Sequence, residues 1–395
     1  MPRPNLLARL AHAHADRAQA DLLRRLRTVR EADGAWIAVD GRRLLGFASN
    51  DYLGLAQHPR VTEALVDGAR RWGVGATAAH LLGGHRAEHE ALEHDLAQWL
   101  GRERALLFST GYMANLGVVG ALVGEGDVCV QDKLNHACLI DGARLAGAQL
   151  KRYPHNDVDG ARRQLDAAPD AGALVSTDGV FSMDGDIAPL PELAALCHEH
   201  GALLHVDDAH GLGVVGPDGA GSVAAAGLSA HDAPILMATL GKALGVAGAF
   251  VAGSAALIDG LVQFARTHVY TTALPPALAT ATRAAVEIAR FEHWRRERLG
   301  ILIAHFTHGA ARRGLVLLPS TTPIQPVLVG GSGEALRVAR DLEARGFYVP
   351  AIRPPTVPNG KARLRVTLSA LHTETDVERL LDALALGILG TNHAH

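Results

Sequence analysis

The chain has 395 residues, 48% hydrophobic and 20% charged, which is enough apolar surface for two or three packed domains and excludes a disordered chain. Its 38 basic and 41 acidic residues leave a formal charge of −3, too balanced for wrapping nucleic acid or coating an anionic membrane. The three cysteines, Cys129, Cys138 and Cys197, form neither a CxxC pair nor an even-numbered framework, so the expectation is a cytoplasmic protein with no structural metal.

In chain order, leucines at positions 6, 7, 10, 22, 23 and 26 predict an amphipathic N-terminal arm over residues 1–45. Asp16, Asp21 and Glu31 interrupt what would otherwise resemble an Arg-rich presequence. From about residue 60 helical stretches alternate with short apolar runs: RALLF (104–108), DVCVQ (127–131), GALVST (172–177), ALLHVD (202–207), PILMATL (234–240) and AGAFVAG (247–253). Runs without alternation are strands covered on both faces, so residues 46–285 are predicted to form a large three-layer α/β/α domain around a mainly parallel sheet. The charge-free stretch 243–258 is too short to span a bilayer. Strand–helix alternation resumes near IQPVLV (324–329), GFYVP (346–350) and RLRVTL (363–368), predicting a smaller C-terminal α/β domain over 286–395.

In such sheets ligands sit beyond the carboxyl ends of the strands. Three of those ends carry polar residues: Asp207 and His210 in HVDDAHG, Thr239 and Lys242 in TLGKALG, and Ser109 to Gly111 before an apparent helix from Tyr112. Alone, each is a turn former, a solvated lysine or a helix cap. Together they suit pyridoxal phosphate: the carboxylate faces a pyridinium nitrogen, the lysine amine binds the cofactor covalently, and the helix end takes phosphate. Gly241 and Gly245 are read as letting backbone approach the cofactor. GLGVVG (211–216) matches a dinucleotide pattern but leads into PDGAG rather than a helix. His205, Asp207, Asp208 and His210 are a rival metal set, which would make a metallohydrolase, but no further cluster supplies the remaining ligands. His85, His89 and His94 are read as one solvated helix face.

FASNDYLGL (47–55), DKLNHACLIDGARL (132–145), GVFSMDGDIAPL (179–190), HVDDAHGLGVVG (205–216) and TLGKALG (239–245) resemble, in order and over almost the whole chain, the α-oxoamine synthases, a family of fold-type-I pyridoxal-phosphate transferases. AIRPPTVPNGKARLRVTLSALHT (351–373) is similar to members that condense L-alanine with a pimeloyl thioester of coenzyme A or a carrier protein in biotin biosynthesis. The resemblance implies that Lys242 anchors the cofactor and then moves protons, that His136 stacks on the ring, and that Asp207 pairs with the ring nitrogen. It implies His210 and Ser182 around the phenolic oxygen, and Gly111, Tyr112 and Thr239 at the phosphate. Arg365, with Asn50, would clamp the amino-acid carboxylate, with Arg363 the alternative should the register shift by two. Arg24 and Thr356 would contact the acyl substrate, and Thr272 would reach a second subunit's phosphate in a homodimer. An aminotransferase would share Lys242 and Asp207, and a relative that holds the cofactor without turnover is a third reading. The turn GVGATAAHLLGG (73–84) departs from the family, with His80 where arginine is common, and receives no role.

Overall fold

The protein was analysed as a computed structural model, which describes residues 3–20 and 22–390. Asp21 lies outside the described residues. The chain divides into two compact units, one of residues Asn50–Leu299 and one of the described residues up to Ser49 and from Gly300 onward.

The flanking unit opens with a helix, Leu6–Gln19, capped by Asn5, whose side chain accepts the Ala8 N–H at 3.0 Å. Its leucines Leu6, Leu7 and Leu10 are exposed. The strands β1 (Val29–Asp33), β2 (Trp36–Val39) and β3 (Arg42–Gly46) then form an antiparallel meander.

In Asn50–Leu299 the apolar runs become β4 (Arg104–Phe108), β5 (Val128–Asp132), β6 (Gln149–Tyr153), β7 (Ala173–Asp178), β8 (Leu203–Asp207), β9 (Ile235–Thr239) and β10 (Ala249–Gly253). They form one sheet of order β4-β10-β9-β8-β7-β5-β6. All neighbours from β9 to β6 pair in parallel, and β10 alone runs against β4 and β9. Alternate residues serve separate cores. Val128, Val130, Val175, Leu204, Val206 and Leu236 pack on one face, and Cys129, Leu174, Ile235 and Met237 on the other. Both faces are therefore dry, which removes the polar alternation of a half-exposed strand; each fully buried Val, Leu or Ile contributes roughly 1.5–3 kcal/mol. All three cysteines are buried and free of disulfides.

The flanking unit continues with β11 (Ile324–Gly330), β12 (Phe347–Tyr348), β13 (Ala351–Ile352) and β14 (Ala362–Thr367). β12 adds in parallel to β3, and β14 lies between β11 and β13. His372 stacks on Phe47 with ring centroids 4.1 Å apart and donates from Nε2 to the Gly46 carbonyl at 2.9 Å, joining the two ends of the chain within this unit. Among the described residues no helix is long and apolar enough to cross a membrane.

Candidate active site

At the carboxyl ends of β8 and β9 one cavity is lined by Gly111, Tyr112, His136, Ser182, Asp207, His210, Thr239 and Lys242. Of the cofactor and catalytic residues read from the sequence, only Thr272 is elsewhere, exposed in the segment whose carbonyl lies 3.4 Å from Ser109 Oγ.

Asp207 ends β8. Its Oδ2 accepts from Asn115 Nδ2 at 2.7 Å and its Oδ1 from the Ala209 N–H at 3.0 Å, so the carboxylate is held on both oxygens. His136 caps the helix Ala137–Ala146, and its own N–H donates to Asp178 Oδ1 at 3.1 Å. Burial pushes the His136 imidazole down, with Asp207 opposing and Lys242 adding to the effect. Burial likewise pushes the Cys138 thiol up, so it stays protonated, 2.8 Å from His136 Nδ1. Complete burial, reinforced by Asp207, raises the Asp178 carboxyl well above the usual range.

One end of the cavity is built by the helix Gly111–Leu122. Thr110 caps it by accepting the Met113 N–H at 3.2 Å, and the N–H groups of Gly111 and Tyr112 belong to the first turn, which has no intrahelical acceptors. A Cβ at Gly111 would lie 2.8 Å from Thr239 Cγ2, and the buried Thr239 Oγ1 has no protein partner. Such a cradle fits a phosphate ester. The Tyr112 hydroxyl donates to Asp141, which pushes the phenol up to about 12, and its ring meets His136 edge-on at 6.3 Å.

Lys242 follows β9 in a tight turn, Gly245 N–H donating to the Lys242 carbonyl at 2.8 Å. Gly245 has φ 68°, and a Cβ there would strike Ala56 N at 2.3 Å. Its freedom serves close packing against the backbone of Leu55 and Ala56, whereas Gly241 meets no protein atom closer than 3.5 Å.

Sequence reasoning missed four supports. Tyr52, fully buried, places its hydroxyl 2.6 Å from His210 Nδ1 and 3.3 Å from Asn50 Oδ1. Asn115 and Asp178 hold Asp207 and His136, as given above. His155 joins two site loops: Nδ1 lies 3.2 Å from Asp132, ahead of the His136 loop, and Nε2 lies 2.8 Å from Asp186, in the loop carrying Ser182. The histidine reading is corrected as well. His94 is exposed, but His89 is fully buried, accepting the Arg86 N–H on Nδ1 at 2.8 Å and donating from Nε2 to the Leu274 carbonyl at 2.6 Å. It packs with His80 and His85, and His80 stacks on His268 at 4.8 Å.

His205 is buried, with Nδ1 3.4 Å from Ser176 Oγ, and is not among the described groups whose donor atoms converge for a metal. GLGVVG opens into turns and a short 3-10 segment, not the helix a dinucleotide site needs.

In the flanking unit, Arg365 and Arg363 are buried on β14. Arg365 Nη1 donates to Thr367 Oγ1 at 2.9 Å, and Arg363 Nε to the Lys361 carbonyl at 3.1 Å. Arg24 and Thr356, both exposed, line one small cavity with Arg17 and Arg353.

The profile of the aminotransferase class I and II family matches residues 42–384. An 8-amino-7-oxononanoate synthase from Stenotrophomonas maltophilia is 58% identical over 98% of this chain and 95% of its own length. One from Pseudomonas putida strain F1 is 57% identical over 95% of this chain and 96% of its own. The chain belongs to the α-oxoamine synthase family. A serine palmitoyltransferase from S. paucimobilis, solved with PLP and myriocin bound, superposes with a TM-score of 0.93 at 27% identity, covering 99% of this chain and 100% of that one. This α-oxoamine synthase has the fold-type-I architecture and uses pyridoxal 5'-phosphate. The cavity around Lys242 has the donors such a cofactor needs.

Proposed function

We propose that this protein condenses L-alanine with a pimeloyl thioester, releasing carbon dioxide and free thiol, to give 8-amino-7-oxononanoate in biotin biosynthesis. It is a PLP-dependent acyltransferase. The observation that carries the substrate assignment is the 57–58% identity to synthases of that name along nearly the whole chain.

When bound, the cofactor supplies a covalent attachment for amines and an electron sink for the carbanion at the amino-acid Cα. The protein's residues do the rest. The Asp207 carboxylate, fixed by Asn115 and Ala209, keeps the pyridine nitrogen protonated. His136, neutral and pinned by Asp178, would stack on the ring. His210, backed by Tyr52, and Ser182 bind the phenolic oxygen. Gly111, Tyr112 and Thr239 hold the phosphate, joined by Thr272 from a second copy, which makes the working form a homodimer. Lys242 Nζ takes the proton from alanine Cα and later returns one to the product. Arg365, with Asn50, would hold the alanine carboxylate and so present the Cα–H bond to Lys242. Arg24 and Thr356 receive the acyl chain, carried by coenzyme A or a carrier protein. The enzyme works in the cytoplasm.

The test is thiol and carbon dioxide release from alanine with a series of acyl thioesters. Pimeloyl thioester is expected to be preferred. Preference for acetyl or long unsubstituted chains overturns the substrate assignment, and pyruvate formation points to transamination instead. Borohydride reduction of the holoenzyme is expected to fix the cofactor on the peptide containing Lys242.

A further inference from the structure

Away from the Lys242 cavity, two groups among the described residues bring three possible ligand atoms within 4.8 Å of one another. The first is His80, His85 and His89. There His89 has both ring nitrogens engaged, one by Arg86 N–H and one by the Leu274 carbonyl, so a bound ion would break a buried hydrogen bond.

The second group carries no such cost. His198 lies in the last turn of the helix Leu190–His200, and His231 and Asp232 lie in the turn leading into β9. We propose that His198, His231 and Asp232 form a binding site for a divalent transition-metal ion of the zinc type.

His198 Nε2 and Asp232 Oδ1 are 3.1 Å apart. Ligands at about 2.0–2.1 Å from a tetrahedral ion stand about 3.3 Å apart, so these two atoms already have nearly the right bite. Asp232 is held in orientation through its other oxygen: Oδ2 accepts the Ser229 N–H at 2.8 Å and the Ser229 hydroxyl at 2.6 Å. Ser229 therefore fixes the carboxylate while Oδ1 remains with His198. The His231 ring lies against that of His198, 4.8 Å between centroids and 14° from parallel, and its ligand atom lies within 4.8 Å of the other two. The ion takes the place of the proton shared between His198 and Asp232.

Two imidazoles and one carboxylate favour zinc, cobalt or nickel over magnesium and calcium, which prefer all-oxygen shells. The three side chains line an open cavity of about 730 Å³, so water completes the coordination sphere. The same cavity includes Leu203 and Pro234, at the amino ends of β8 and β9, the end of the sheet opposite Lys242. An ion there takes no part in the condensation. It clips the end of one helix to the turn that feeds β9.

The experiment is calorimetric titration of zinc into holoenzyme freed of metal by a chelator, above the pH at which imidazole titrates. One ion per chain is expected in the micromolar range, with His231→Ala weakening binding roughly tenfold or more and leaving the condensation rate unchanged. His231 is exposed, so this variant keeps the fold; Co(II) absorption gives a second readout, its d–d band appearing in the native protein and not in His231→Ala. Zinc binding that is absent, that survives His231→Ala undiminished, or that is lost in His85→Ala instead overturns the assignment.

Discussion

Asn115 Nδ2 donates to Asp207 Oδ2 at 2.7 Å, across 92 residues of chain, and fixes the rotation of the carboxylate proposed to meet the cofactor's ring nitrogen. Replacing Asn115 with alanine removes that donor and leaves Asp207 held by the Ala209 N–H alone. A drop in kcat of roughly 10–100-fold is expected. Thiol release and the absorbance of the bound cofactor measure it; a native kcat would show that Asp207 is held well enough without Asn115.

The Gly111 cradle gives a paired prediction. Gly111→Ala puts a Cβ against Thr239 Cγ2 and should weaken cofactor retention by about tenfold. The double variant Gly111→Ala/Thr239→Ser deletes the clashing methyl and keeps the hydroxyl, so it should recover much of the loss. Cofactor fluorescence during dialysis tests both.

The buried imidazoles make the fold sensitive to acid. Burial pushes His80 down to about 3 and His268 down to about 4. In the unfolded chain both take protons below about pH 6.5. Their contribution to stability is therefore complete above 6.5 and declines as the pH falls from there toward 4, by up to about 1.4 kcal/mol per pH unit for each group. Both nitrogens of His268 lack partners, so His268→Phe should keep the fold and flatten the dependence of the urea midpoint between pH 6.5 and 4.

His155 behaves in the opposite sense. Burial disfavours its cation, but hydrogen bonds to Asp132 and Asp186 outweigh that and hold the imidazolium up to about 10. Its contribution is fully present below pH 6.5 and is lost as the pH rises through 10. His155→Gln should cost about 1–3 kcal/mol at neutral pH and abolish that alkaline loss in thermal melts.

Much of this was readable in the sequence. Strands buried on both faces announce themselves as unbroken apolar runs, and the polar residues just past them, Asp207, Thr239 and Lys242, fall into one cavity because parallel strands deliver their carboxyl ends to one side. The supports were not readable, because their partners are distant in the chain. Helical periodicity places His89 on a face with His85, but the Leu274 carbonyl that buries it comes from 185 residues away. Tyr52 sits in a motif noticed for Asn50, and nothing local reveals that its hydroxyl turns to His210. Nor does anything local reveal that Gly245 lies against the backbone of Ala56.

The contact between Gly245 and the backbone at Ala56 has a practical side for anyone reshaping the substrate range. The lysine turn packs closely on the Leu55–Ala56 backbone, so a library that enlarges one side with the other held fixed is expected to yield many misfits. Covarying the two together keeps the reactive amine aligned while the surroundings change.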